Sequence, residues 1–168
     1  MARTFRGESV HKVDSKGRVS IPASFRRVLQ DCDPEYTEGL SPNLVIVYGD
    51  HRRDYLEGYH MEAIAEVDAK IAKLPRGSKA RKLLEKLFNG QSHPTQVDET
   101  GRLVLPAKLR DKIGVTTEAY FIATGDTFQI WEPGAYAKHE AEVDRWYDDY
   151  DEDFDPLELL DGPGPAGE

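Results

Sequence analysis

A chain of 168 residues, 39% of them hydrophobic and 32% charged, can build one core or two small halves that share one; two unrelated large domains are excluded. No window reaches the roughly 18 uninterrupted apolar residues of a membrane span and the N-terminus carries no secretory-type apolar stretch, so a soluble, cytoplasmic protein is expected. The net charge of -9 is unevenly spread: residues 140–168 hold twelve acids against Arg145, so taking their -11 from the total leaves +2 for residues 1–139.

The N-terminal segment is basic. Residues 3–27 contain Arg3, Arg6, Lys12, Lys16, Arg18, Arg26 and Arg27 against Glu8 and Asp14. Within it, Val13 to Arg26 reads as strand, turn, strand, helix. Gly17 falls where the chain reverses and can take a positive φ. Val19 and Ile21 alternate at strand period and should face a core, while Arg18 lies at the turn. Pro22 suits a first helical position, and Phe25, Val28 and Leu29 follow at helical spacing, an arrangement that leaves Arg26 and Arg27 outward. Cys32, the single cysteine, cannot form an intrachain disulfide or a cysteine-built zinc site and reads as a small filler. Leu44 to Tyr48 is an apolar β-like run.

The middle of the chain is helical in pattern. Ile64, Val67, Ile71 and Leu74 recur at spacings of three and four. Pro75 to Gly77 interrupts, Ala80, Leu83, Leu84, Leu87 and Phe88 resume, and Gly90 terminates. These helices are expected to cover one end of the fold or to pack on a neighbouring subunit. Lys70 to Lys86 adds seven bases against Glu85, a run that reads first as a solvated face.

Val97 to Arg110 then repeats Val13 to Arg26 without gaps at an offset of 84, with seven of fourteen positions identical. Val19 with Leu103, Ile21 with Leu105 and Phe25 with Leu109 are apolar exchanges. Chance would supply about one identity in such a window, so the chain carries an internal duplication. Asp98, Gly101, Arg102, Pro106, Lys108 and Arg110 take the places of their counterparts in the first copy. Tyr120 to Ile122 and Phe128 to Trp131 read as strands joined by a hairpin turn at Gly125-Asp126, and Ala135 to Tyr147 as a last helix. Beyond it, residues 148–168 hold nine acids and no base and end rich in Gly and Pro, which predicts disorder at least beyond about Asp161.

Neither half supplies enough elements to close a core alone, so an α+β fold with one barrel built from both halves is expected. The predicted division is 1–50 and 93–147 as the two related halves, 51–92 as a helical insertion and 148–168 as an acidic tail. None of the five histidines lies four residues from another, so they read as surface or turn residues, and no metal or cofactor is expected.

Both copies resemble the loops of the MraZ family, whose pattern is an Asp, three intervening residues and an Arg, followed by an apolar-x-apolar-Pro stretch: Asp14 to Arg18 and Asp98 to Arg102 fit it. Phe5 to Gly7 and the Leu83 to Gly90 segment are similar to that family as well, and the resemblance covers roughly residues 5–147. It implies a swapped-hairpin barrel of the AbrB class, here formed within one chain. It also implies a ring-like homo-oligomer that binds double-stranded DNA at direct repeats upstream of the division and cell-wall gene cluster, regulating transcription at the nucleoid. The acidic tail departs from a minimal member.

An arginine on a hairpin turn suits that role, because its planar fork can meet a base edge bidentately or clamp phosphate. Arg18 and Arg102 are the candidates for base contact. Lys12, Lys16, Arg26, Arg27, Lys108 and Arg110 are candidates for phosphate, and Asp14, Gly17, Asp98 and Gly101 for shaping the turns. With Glu99 and Thr100 in place of Ser15 and Lys16, the second copy is less basic, so the loops should contribute unequally. The stripe of bases from Lys70 to Lys86 is a further, weaker candidate to face DNA. Catalysis is not expected: the chain has no Gly-x4-Gly-Lys-Ser/Thr run, no Gly-x-Ser-x-Gly elbow and no His-Glu-x-x-His. The alternatives are a protein-interaction scaffold that uses the Asp-rich tail, and an antitoxin-like AbrB DNA binder.

Overall fold

The structure, a computed structural model, describes residues 3–162. The chain divides into two compact units, Met1–Ala135 and Tyr136–Glu168. The first unit begins with β1 (Glu8–Lys12), β2 (Arg18–Ser20), α1 (Ala23–Asp31), β3 (Asn43–Val47) and β4 (Tyr55–Tyr59). Then come α2 (Met61–Ala72), α3 (Lys79–Glu85) and a π-helical turn, Lys86–Gly90. The second copy supplies β5 (Ser92–Gln96), β6 (Arg102–Val104), α4 (Ala107–Ile113), β7 (Glu118–Ala123) and β8 (Thr127–Trp131). Most of α5 (Pro133–Asp148) and a 3-10 helix, Pro156–Asp161, belong to the second unit.

The two halves exchange strands. All pairings are antiparallel: β1 with β7, β5 with β3, β2 with β6, β4 with β8, and the two hairpins β3/β4 and β7/β8. The larger sheet has the order β1-β7-β8-β4-β3-β5, which reads the same when each strand is replaced by its counterpart in the other half. Sequence duplication has therefore become a two-fold topology within one chain. The expected closed barrel is not what the strand pairing gives: the sheet is open, with β1 and β5 at its edges. The three-residue strands β2 and β6 pair with each other as a separate ribbon, and among the described residues no strand joins the two edges.

The main core draws on both halves. Phe5, Phe25, Phe121 and Phe128 meet at its centre, with Phe128 centroids 5.1 Å from both Phe5 and Phe25 and 6.0 Å from Phe121. Val19, Ile21, Phe25, Val28, Leu29, Leu103, Leu105 and Leu109 are all buried, as the alternation and helical spacing predict. Cys32 is buried among them. A smaller cluster of Val45, Val47, Tyr59, Ala63 and Ile64 lies under α2, so β3 is covered on both faces, which explains its unbroken apolar run.

Several elements differ from the sequence reading. Strand β4 lies in the segment read as a helical insertion; Tyr55-Leu56-Glu57-Gly58-Tyr59 carries a charge and a glycine that hide its strand character. Pro22 and Pro106 occupy the caps immediately before α1 and α4, one position earlier than predicted. His60 is no surface residue but fully buried: Nδ1 accepts the Ala63 backbone N–H at 3.0 Å, capping α2, while Nε2 meets the Arg3 carbonyl at 3.1 Å. In the tail, Pro156–Asp161 forms the 3-10 helix; the rest of the stretch read as disordered, 163–168, lies outside the described residues. Among the described residues no helix is long and apolar enough to cross a membrane.

Gly58 shows how closely the halves are fitted. It stands opposite Phe128 in the β4/β8 register, and a Cβ there would come within 2.3 Å of that ring. Gly58→Ala is therefore expected to displace the central phenylalanine and to cost about 1–3 kcal/mol, as overpacking of a filled core does. Thermal unfolding at fixed protein concentration checks this; an unchanged Tm would mean that the ring has room to move.

Candidate nucleic-acid interface

Each motif copy forms a tight turn that its aspartate holds from within. Asp14 Oδ1 accepts the backbone N–H groups of Lys16 and Arg18, both at 2.9 Å, and the Asp14 carbonyl accepts Gly17 N–H at 2.9 Å. Asp98 does the same: Oδ1 accepts from Thr100 N and Arg102 N at 2.9 Å, and its carbonyl from Gly101 N at 3.0 Å. A carboxylate used in this way replaces the backbone partners a free strand end lacks. Both carboxyls are held below the ordinary aspartate range, first by the N–H of Arg18 or Arg102 and, for Asp98, next by the Thr100 hydroxyl. The glycines take φ of 83° at Gly17 and 80° at Gly101.

The arginines four residues on are oriented differently. Arg18 Nε donates to Asp14 Oδ2 at 2.7 Å, and its two terminal nitrogens make no hydrogen bond among the described residues. Arg102 Nε instead donates to the Thr100 hydroxyl at 3.0 Å and stands 3.6 Å from Asp98 Oδ2. Thr100 thus does in the second copy part of what the carboxylate does in the first.

Pairing of β2 with β6 brings the two turns together. The register sets Arg18 opposite Val104, Val19 opposite Leu103 and Ser20 opposite Arg102. Val19 and Leu103 are buried, so the other two pairs share the solvent face. Arg18 and Arg102 are diagonal neighbours on that face, their Cα atoms on the order of 7–8 Å apart. Their side chains are 38% and 39% exposed. The ribbon is clamped at both ends by a reciprocal pair of bonds: Leu105 N–H donates to the Gly17 carbonyl at 2.8 Å, and Ile21 N–H to the Gly101 carbonyl at 3.1 Å.

The remaining candidates fall into two groups. Lys12, Lys16 and Arg27 are exposed, and Lys108 is exposed with its ammonium 5.2 Å from the Tyr48 ring centroid. Arg26, expected to face outward with Arg27, is half-buried instead and reaches across to the other copy, Nη2 donating to the Glu99 carbonyl at 3.2 Å. Arg110, its counterpart, donates from Nε to the Leu105 carbonyl at 2.8 Å beside Gly17. A Cβ on Gly17 would lie 2.2 Å from that carbonyl, so Gly17 answers a close approach as well as a positive φ. Sequence reasoning passed over Val104, which is 46% exposed between the two arginines; its alternation with buried Leu103 and Leu105 was the available signal.

Comparison with known proteins agrees in extent with this architecture. The family described as "MraZ protein, putative antitoxin-like" matches residues 4–85 and 88–152, which takes in both motif copies. The chain is 70% identical to the Transcriptional regulator MraZ of Ruegeria sp. (strain TM1040), over 99% of this chain and all of that protein. It is 67% identical to the protein of the same name from Ruegeria pomeroyi, over 98% and 99%. A third, from Parvibaculum lavamentivorans, is 37% identical over 84% of each. With two correctly spaced Asp-to-Arg turns, strands exchanged between its halves and a family match spanning both, the chain belongs to the MraZ family.

Proposed function

We propose that this protein is a sequence-specific DNA-binding transcriptional regulator that seats the β2/β6 ribbon in the major groove. The carrying observation is the shared outward face of that ribbon, with Arg18 and Arg102 on it and no acidic side chain between them. A two-stranded ribbon fits the major groove, and an arginine fork can meet guanine O6 and N7 there. Held by Asp14 through Nε, Arg18 presents its terminal nitrogens end-on, with part of the ordering cost met before DNA arrives. Val104 offers methyl groups to a thymine methyl. Lys12, Lys16, Arg27 and Lys108 contact phosphates and set the register. Arg26 acts chiefly by stapling its copy to the opposite turn through the Glu99 carbonyl, and Arg110 by holding the Leu105 carbonyl of its own copy beside Gly17.

The names of the relatives support the regulatory reading, and the exchange of strands between halves supports the swapped-hairpin arrangement, in open form. Together with the resemblance they extend it to a ring-like homo-oligomer on direct repeats upstream of its own division and cell-wall operon. In this reading 1–50 and 93–147 supply the reading ribbon, and 51–92 and 148–168 serve assembly.

Arg18→Ala and Arg102→Ala are each expected to leave the fold intact and to reduce discrimination between operator and random DNA by roughly 1–3 kcal/mol, with the larger loss at Arg18. Competition titrations at fixed salt measure it. Unchanged operator affinity in the folded double variant would overturn the site.

Asp14→Asn keeps an oxygen for the two turn N–H groups but gives up the charge that orients Arg18, whereas Asp14→Ala loses both. Amide exchange at Lys16 and Arg18 is therefore expected to stay slow in the first variant and to speed up in the second, while the preference for operator over random DNA narrows in both. Equal preference in wild type and Asp14→Asn would show that the carboxylate has no orienting role.

One ribbon spans few base pairs, so affinity should come from several subunits engaging consecutive repeats. Binding is expected to tighten steeply from one to two to three repeats on one duplex. Equal affinity for all three fragments at the same salt would exclude this mechanism.

A further inference from the structure

Within the segment that the proposed function gives to assembly, a reading on which this inference rests, helix α3 and the turn before it carry an exposed surface. No residue of α3 is buried, and Leu83 is 56% exposed. Lys79 and Lys86, four before and three after it, are its neighbours on the helix surface, and Lys82 adjoins it along the chain. Lys70, Lys73 and Arg76 extend the positive field; all six cations are exposed, and none forms an ion pair among the described residues. Arg81 is different. It is half-buried, bonds the carbonyls of Ala72 and Leu74 and pairs with Glu85, so it fixes the α2–α3 corner and holds the face in place.

An exposed leucine within a ring of lysines needs an apolar group within a ring of acids. The chain carries such a group in its second unit. In the 3-10 helix Pro156–Asp161, Leu157 and Leu160 are three apart, and side chains at that spacing in a 3-10 helix eclipse one another. They form one apolar edge, 67% and 81% exposed, flanked by Asp155, Glu158 and Asp161. The segment is ordered before any partner arrives: Asp155 Oδ1 caps it through Leu157 N–H at 3.0 Å. Phe154, just ahead, stacks on Tyr150 at 4.1 Å, and Tyr150 meets Trp146 at 5.7 Å. A preformed edge loses less entropy on docking than a free coil does.

We propose that the α3 face is a docking site for the Asp155–Asp161 segment of a second copy of this chain, with Leu157 and Leu160 covering Leu83 and the acids meeting Lys79, Lys82 and Lys86. An apolar centre with a charged rim is the ordinary anatomy of a protein interface. Duplex phosphate could satisfy the lysines but leaves Leu83 uncovered, which is why the tail is the better occupant.

Photo-cross-linking of the full chain tests this. With Leu160 replaced by a benzophenone amino acid, isotopically light and heavy protein are mixed, irradiated and digested. The expected product joins a light tail peptide to a heavy peptide from within residues 70–86. Its yield should fall roughly threefold to tenfold in Lys79→Glu, Lys82→Glu protein, the scale of two reversed exposed charges, and should fall with added salt. Products within one isotope only, cross-links to residues 13–27 or 97–110, or no cross-link would each overturn the proposal. So would a charge-reversed variant that loses DNA affinity with its cross-link yield unchanged, which would give the stripe to DNA.

Discussion

Most of this structure follows from one constraint: beyond the bonds each makes to its own motif's aspartate and, for β2, a bridge from Val13, β2 and β6 are paired with each other. Each is three residues long, and the inner side chains Val19 and Leu103 stand opposite each other and are buried in the shared core. The reciprocal bonds from Leu105 N–H to the Gly17 carbonyl and from Ile21 N–H to the Gly101 carbonyl extend the pairing into both turns. Backbone groups buried without such partners are costly, so each turn, though shaped from within by its aspartate, has a backbone carbonyl satisfied by the other copy. The site and the fold consequently share one set of bonds, with the common phenylalanine core beneath.

The same constraint separates the roles of charged residues that look alike in sequence. Arg18, Arg26, Arg102 and Arg110 all follow the motif, yet two stand on the solvent face and two turn inward to carbonyl groups of Glu99 and Leu105. Within each turn the aspartate is an acceptor for backbone N–H groups before it is a partner for arginine. In the proposed reading this is how an acidic side chain sits in a surface for an anionic polymer: it is engaged by the turn's own N–H groups and holds the arginine fork.

A good deal of this was legible in the residues. The 84-residue offset exposed the duplication, the alternation at Val19, Ile21, Leu103 and Leu105 exposed the buried face, and Gly17 and Gly101 marked the turns. What could not be read was partnership across the chain. Periodicity shows which side of a strand is apolar but not which strand lies beside it, so the pairing of β1 with β7 and the open order of the sheet had no local signal. Strand β4 was hidden because Gly58 serves the Phe128 ring, a requirement that exists only after folding. The inward turn of Arg26 and the burial of His60 are of the same kind, set by neighbours 57 to 73 residues away.

A ribbon made by two identical subunits is unchanged by a half-turn and therefore cannot tell which way along the duplex it points; its natural target is a palindrome. Here the two strands come from copies that have diverged. One end of the face carries Arg18, tied to a carboxylate and opposite Val104, with Lys16 in its turn; the other carries Arg102, tied to a hydroxyl and opposite Ser20, with Glu99 in its turn. Under the proposed function, the near-symmetry preserves the shape that would enter the groove, while the chemical difference gives the face a head and a tail. A reader with polarity can be laid down repeatedly in one direction, which is what a series of direct repeats requires and a palindrome does not.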